Sequence, residues 1–571
     1  MSRLGSKLPI TLLTAVLAAG IVGCDSGTDI TARKWRQDLE VVETTLRINH
    51  PNAWDRTPRD VWQADYDQLY RDLPGLTETQ AIVRLMQLVA SLNDGHTRLR
   101  PNPEREDMHE LFPLRTYRFT DGIHVISTTK EHEDLLGAKV ARIGEYDAEE
   151  ALMLAATVTS WDNDFTRYDR GPRMLMLPGV LEGLGIIPTV DELPLEVVTR
   201  DGRRRKVTIP NSGSHSMLVE DRRWYNQSFG FPGPDVVVAR EGGGAEPSLA
   251  YRNRRRFYWF EYVPADRLLY FQFNVVHNAP DDGGPVERLH DFFQRMFTFI
   301  DEHEVDKFVI DLRYNGGGNN RLIRPLIHGI IRRDGINRTG HLFTVLGRST
   351  FSAAMSLAGA LEEHTNTLFV GEPSGSTPNQ YGDSRSTTLP NSGLVLRVSS
   401  VWWMNTNALD NRQVLPPHIA AQWSSRDFLT RQDPALDKIL ALEEYVDPQD
   451  VFLQAQDVFL QALEEGDFAS AKSAYRQYKR DVPDDWRDTK GIMNSLGYQL
   501  LEAGKVDEAI VVFELNVETY PGYASGWDSL GEGYMVKGDY PTAIHHYEKS
   551  LQLDPKNGNA TDMIHRMKRE M

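Results

Sequence analysis

A single cysteine, Cys24, occurs in 571 residues, so no internal disulfide can form whatever compartment the chain occupies. Zinc-peptidase spacing is missing too: the sixteen histidines include no HExxH pair and no His/Cys cluster. A GxSxG elbow is absent, which excludes the α/β-hydrolase form of a serine site. Positive charge is in deficit, with 63 Lys and Arg against 81 Asp and Glu and a net charge of −18. That balance argues against a nucleic-acid partner and favours colloidal solubility. Two basic runs, at 203–206 and 254–256, sit between strand-like segments and read as solvated hairpin edges. Long apolar runs are scarce as well. The most continuous, residues 8–22, falls short of the ~20 residues that span a bilayer.

What that short run does resemble is a signal. Arg3 and Lys7 precede it, and Ile21-Val22-Gly23-Cys24 resembles a bacterial lipobox. Removal of residues 1–23 would leave Cys24 at the new N-terminus as the thioether for diacylglycerol, and two acyl chains suffice for stable anchoring. The expected location is therefore the bacterial cell envelope, lipid-anchored and facing the periplasm or the exterior.

Two segments carry the chemistry. Residues 307–318, KFVIDLRYNGGG, read as a short buried strand ending in a glycine cluster, followed by a helical pattern at 320–331. Glycines at such a turn leave backbone NH groups uncovered, able to face an oxygen that becomes negative in a transition state. Residues 347–363, GRSTFSAAMSLAGALEE, repeat the geometry with a strand at 341–346 and a helix at 353–363. Ser352 falls at the helix start, where the NH of Ala353 and the helix dipole point to the same place as its hydroxyl. A serine there is also a common helix cap.

Together these segments resemble the S41 serine peptidases, the C-terminal-processing and tricorn-like proteases, over residues 94–440. The resemblance implies a crotonase-like α/β core. It picks out Ser352 as nucleophile, six residues before the stretch Ala358-Gly359-Ala360-Leu361, and demotes Ser349 and Ser356. The lysine of the dyad branch would stand at Thr377, and residues 371–383 contain no lysine, so that branch is excluded. The tricorn-like branch implies an upstream histidine, matched by His96 in Asp94-Gly95-His96-Thr97. Locally, Thr77 to Gln80 form a capping box, apolar residues follow at helical spacing, and Asn93-Asp94-Gly95 ends the helix just before His96. An imidazole titrates near working pH and suits a general base. For the third member the resemblance points to an acid before Pro417-His418-Ile419. Asp410 is the best-placed candidate and Asp94 the second. Oxyanion donors are expected at Ala353 and at Gly317 or Gly318.

The whole chain is then read as a crotonase-like α/β catalytic core with a helical N-terminal subdomain, a PDZ-like β-rich module and an all-α solenoid. The boundaries are 1–23 signal peptide, 24–105 helical subdomain, 106–215 β-rich module, 216–265 unassigned linker, 266–445 catalytic core and 446–571 repeats. The β-rich module is expected as short strands around DG turns, and a PDZ-like groove would hold a peptide by strand addition. In the last segment Leu496-Gly497 recurs as Leu530-Gly531, and Gly504, Ala509 and Pro521 recur as Gly538, Ala543 and Pro555, all at an offset of 34. These resemble tetratricopeptide repeats. An earlier copy, Gly466, Ala471 and Pro483, is displaced by four further residues. The functional expectation is an envelope-anchored serine endopeptidase that needs no cofactor or metal, takes a peptide or protein substrate, and offers a groove to a protein partner. The alternative is a non-catalytic peptide- or ligand-binding lipoprotein on the same fold.

Overall fold

The computed structural model describes residues 31–101, 110–211, 236–238, 247–254, 256–278, 287–443, 445, 448–481 and 489–571. The signal peptide and Cys24 lie outside them. The chain forms two units, one ending at Glu443 and one beginning at Glu444.

The first unit is built on a six-stranded sheet. Its strands follow chain order from one edge: Tyr258–Val263, Leu268–Phe273, Lys307–Asp311, Leu342–Leu346, Leu368–Gly371 and Ile419–Ala420. The first is antiparallel to its neighbour and the other five are parallel. Every residue of Leu268–Phe273 and of Leu342–Leu346 is buried, as helices on both faces require, and so these strands show no polar alternation. Helices Leu289–Glu302, Arg324–Ile331 and Ala353–His364 are the crossovers, and the core packs Phe271, Phe308, Phe369, Met296 and Leu357 together. The edge strand Tyr258–Val263 falls in the stretch without a sequence-based assignment, so the sheet begins earlier than residue 266.

Helices Ala32–Asn49, Arg59–Asp72 and Glu78–Ala90 form the N-terminal subdomain. Thr77 and Gln80 make the expected capping box, and Asn93 turns the chain out of the helix at φ 57°. Directly after the histidine, Arg98–Arg100 pairs antiparallel with Val395–Val398. A strand about 300 residues distant in sequence thus fastens the subdomain to the rest of the unit.

The β-rich module is antiparallel, with Leu114–Phe119, Gly122–Thr129, Lys139–Ile143, Glu192–Val198 and Arg204–Pro210 side by side. It is not all strands and turns. Helices Ala148–Ala156, Asp164–Met174 and Pro178–Gly183 are inserted between the third and fourth of these strands. The run AEEALMLAA is made of strong helix formers, and the Asp147 side chain caps it by accepting from the NH of Glu149. Arg204 and Arg205, from the first basic run, lie on the exposed hairpin and pair with Glu196 and Asp134.

The second unit consists, among the described residues, of seven helices from Pro448–Glu464 to Gly558–Glu570. Its repeat motif has a packing cause. A Cβ at Gly497 would lie 2.2 Å from Phe513 Cε1, and one at Gly531 would lie 2.9 Å from Tyr547 Cδ2. Each Leu-Gly therefore receives the aromatic ring of the following helix, sixteen residues on, and the offset of 34 carries both members forward. Pro483 of the early copy lies outside the described residues. No helix among the described residues is long and apolar enough to cross a membrane.

Candidate active site

Adjacent parallel strands bring two loops together at their carboxyl ends, the place where open α/β sheets gather ligands. Lys307–Asp311 leads into the glycine cluster and Leu342–Leu346 into the serine turn, and the two strands are hydrogen-bonded neighbours. The loops are bonded to each other as well. Phe351 NH donates to Asn315 O at 3.1 Å, and Thr350 Oγ1 donates to Leu312 O at 3.0 Å.

These bonds hold Ser352 at φ 57° and ψ −123°, immediately before helix Ala353–His364. A non-glycine residue in such a region costs about 1–3 kcal/mol and persists only where its surroundings over-determine it. The Ser352 hydroxyl does not cap the helix, and it has no hydrogen bond to another described residue. Its neighbours differ. Ser349 Oγ donates to Asp169 Oδ1 at 2.6 Å and Ser356 Oγ to Asn405 Oδ1 at 2.8 Å. Of the three serines only Ser352 has an uncommitted hydroxyl.

The glycine loop supplies a close backbone approach. Gly317, at φ 106°, lies so near the serine that a Cβ there would be 2.6 Å from Ser352 Cβ and 2.9 Å from Ala353 N. Its own NH, however, donates to Asn315 Oδ1 at 2.9 Å. Gly317 is thereby corrected as an oxyanion donor: it makes room and does not donate. The NH groups of Gly318 and Ala353 have no acceptor among the described residues, and both residues line the cleft at Ser352.

His96 lines that cleft together with Ser352 and Gly318. Its Nε2 lies toward strand Gln380–Gly382, 4.0 Å from where a Gly382 Cβ would be, and the same strand reaches the serine turn through Gln380 Nε2, which donates to Ser352 O at 2.9 Å. No hydrogen bond joins the His96 and Ser352 side chains, an open geometry common before substrate binds. The imidazole stacks on Phe351 with ring centroids 4.4 Å apart, and the Arg170 guanidinium lies 4.7 Å from the centre of that phenyl ring. Removal from water pushes the His96 pKa down to about 4, against the raising influence of Asp94 and Asp162. The ring is accordingly neutral at pH 7 and able to accept a proton.

The loop before His96 is pinned by two buried acids. Asp94 Oδ1 accepts from the His96 NH at 2.9 Å, and its Oδ2 accepts from Ser399 Oγ at 2.6 Å and lies 3.1 Å from His50 Nε2. Burial works to raise the Asp94 pKa, but His50, His96 and Ser399 together hold its carboxyl below the usual range. Asp162 Oδ1 accepts from Gly95 NH at 2.8 Å and Arg56 at 2.9 Å, and its Oδ2 accepts from Ser376 at 2.8 Å. Neither acid touches His96 Nδ1, which has no partner among the described residues.

Asp410 requires correction as the third member. Its carboxylate accepts from Arg412 at 2.7–3.1 Å and from Thr406 at 2.8 Å, and Arg412 extends the pairing to Glu362. It makes no contact with His96. An arginine two residues along the chain captures it. Asp162, Phe351 and Arg170, by contrast, carry no local motif. Asp162 stands between two helices of the β-rich module, and its bonds reach partners as far along the chain as Ser376.

Comparison with known proteins falls into the same two parts. The first unit has the fold of CPAF: a mutant of that protein superposes with a TM-score of 0.50 at 11% identity, covering 73% of this chain and 99% of the other. The photosystem II D1 C-terminal processing protease aligns at 13% identity and a TM-score of 0.33, covering 71% of this chain and 96% of its own. In the second unit the tetratricopeptide repeat family model matches residues 524–557. The chloroplastic tetratricopeptide repeat domain-containing protein PYG7 of Arabidopsis thaliana is 36% identical over 73 residues, which are 13% of this chain and 24% of that protein.

Proposed function

We propose that this protein is a serine endopeptidase of the S41 type, anchored in the bacterial envelope through Cys24. The observation that carries the reading is Ser352: a strained backbone at a helix start, and beside it a hydroxyl and two NH groups that have no hydrogen-bond partner among the described residues. In the reaction Ser352 Oγ attacks the peptide carbonyl carbon while His96 takes its proton. The carbonyl oxygen becomes an oxyanion facing the NH groups of Gly318 and Ala353. Collapse breaks the C–N bond, His96 returns the proton to the leaving amine, and an acyl-enzyme remains. Water, deprotonated by the same imidazole, releases the acid. Asp94 and Asp162 act as positioning residues that hold the loop and leave the ring neutral.

A second reading, a binding protein on the same fold, is favoured by one observation: no carboxylate among the described residues engages His96 Nδ1. Turnover separates the two. Purified protein should hydrolyse an unstructured protein substrate, and Ser352→Ala and His96→Ala should each reduce the rate at least about a thousandfold. Substrate bound but never cleaved would establish the second reading. The β-rich module is proposed to hold peptide, and the tetratricopeptide groove to hold a protein partner. For the anchor, Cys24→Ala should abolish incorporation of radiolabelled palmitate and free the protein from the membrane fraction.

A further inference from the structure

One buried charge cluster beside the site takes no part in the reaction steps. Arg313, two residues past the end of strand Lys307–Asp311, lies between two carboxylates. Its Nε donates to Asp311 Oδ1 at 3.0 Å, and its two terminal nitrogens donate to the two oxygens of Asp433, each at 2.8 Å. The Arg313 side chain is 7% exposed and those of both acids 0%. Asp311 also accepts from the Arg313 NH at 3.0 Å and from the Tyr270 hydroxyl.

Two carboxylates around one buried guanidinium are a poor source of stability, because the desolvation of three charges offsets most of their attraction. What the paired bonds to Asp433 supply is direction, since the planar fork meets both oxygens in one orientation only. Asp433 is itself held in place. It caps helix Pro434–Ala441 by accepting from the Ala435 NH at 3.1 Å.

Arg313 stands where the two catalytic loops join. The serine turn hangs on the glycine loop through Thr350 Oγ1, which donates to Leu312 O, and Phe351 NH, which donates to Asn315 O; Arg313 lies between those two acceptors. Further along, Asn315 Oδ1 takes the Gly317 NH and Asn315 Nδ2 donates to Phe273 O at 2.7 Å. Val276 NH then donates to Gly317 O at 3.0 Å, and Val276 O accepts from the Asn319 NH at 2.8 Å. Gly318 lies between these last two bonds. The loop is thus fixed at its far end by Val276 and at its near end by Arg313. We infer that Asp433 is a positioning residue that, through Arg313, sets the Gly318 NH and the Ser352 turn at the separation an oxyanion requires. A shift there acts on the transition state, where the oxyanion exists, and leaves ground-state binding alone. This inference rests on the peptidase reading of Ser352.

The test uses the full chain with Asp433→Asn, which keeps the shape of the side chain. Burial raises the Asp311 pKa, Arg313 lowers it and Asp433 raises it, so loss of the Asp433 charge favours an ionised Asp311 as counter-charge to Arg313. For a short fluorogenic peptide kcat should fall roughly tenfold to a hundredfold, with KM within about a factor of two of wild type. A second readout is the inhibition constant of a peptide alcohol divided by that of the matching aldehyde. Only the aldehyde bonds to the enzyme: the Ser352 Oγ–C bond forms as the C=O π bond breaks, His96 takes the hydroxyl proton, and the carbonyl oxygen becomes the oxyanion. That ratio should fall by the same factor as kcat. Because it is taken within one variant, a smaller share of folded protein does not mimic the result. Arg313→Lys keeps the charge and gives up the fork, so it should act likewise, and it serves as the test should Asp433→Asn fail to fold. A wild-type ratio in either variant, with only the urea midpoint lowered, would overturn the inference, as would a raised KM with unchanged kcat. Wild type that cleaves no peptide and reacts with neither the aldehyde nor a fluorophosphonate would remove the peptidase reading and this inference together.

Discussion

At Ser352 the backbone sets up the chemistry before the side chain takes part. The strained φ and ψ turn the hydroxyl away from the cap position, and Gly317 leaves space for it. Gly317→Ala would place a methyl 2.6 Å from Ser352 Cβ, so it should lower kcat/KM at least about a hundredfold. Steady-state hydrolysis on folded protein checks this, and wild-type activity would count against the geometry. His96 yields two pH predictions. With its pKa pushed down to about 4, the acid limb of kcat/KM should centre there and not near 6.5. Asp94→Asn removes an influence that raises this pKa, so the limb should move lower still. The unfolded chain takes up this proton near 6.5 and the folded one only near 4. Between those values unfolding binds protons, and stability falls as pH drops. Urea midpoints should show wild type losing stability relative to His96→Gln between pH 7 and 4.5; parallel curves would contradict the shift.

At the scale of elements, the legible parts were those written in consecutive residues. A buried strand followed by NGGG, a serine at a helix start, a capping box closing on Asn93 and a period of 34 are all local patterns, and each has its counterpart in the fold. What escaped depends on distance along the chain. Asp162 grips Gly95 and Ser376 across 67 and 214 residues, and no local signal announces that bond. Asp410 misled for the converse reason: it is the best-placed acid before Pro417, within a residue of where the S41 resemblance points, while Arg412 decides its actual partner. The choice between Gly317 and Gly318 turned on a side chain, Asn315, that takes up one NH and leaves the other. Asp162→Ala should cost about 3 kcal/mol, because it strands Arg56 and frees the His96 loop. Thermal unfolding and kcat measured together test this, and an unchanged melting temperature would show that the acid is dispensable.

For the molecule as a whole, each unit has cores of its own among the described residues. The clusters around Phe308, Leu85 and Val125 lie before Glu443, and those around Tyr475, Phe513 and Tyr547 lie after it. Every residue assigned to the chemistry belongs to the first. Lys307 Nζ donates to the carbonyls of Ile439, Leu440 and Leu442, which ties the end of the first unit onto its own central strand. A chain ending at Glu443 should therefore fold and retain hydrolysis of a short peptide within about a factor of three of the full chain. Loss of activity on truncation would assign the repeats a catalytic role.

The central claim is that Ser352 is a nucleophile served by His96. Peptide mapping by mass spectrometry after exposure to a fluorophosphonate tests it most directly. A single adduct on Ser352, formed much more slowly in His96→Ala and absent in Ser352→Ala, is the expected result. No adduct in wild type, or an adduct on Ser349 or Ser356, would contradict it.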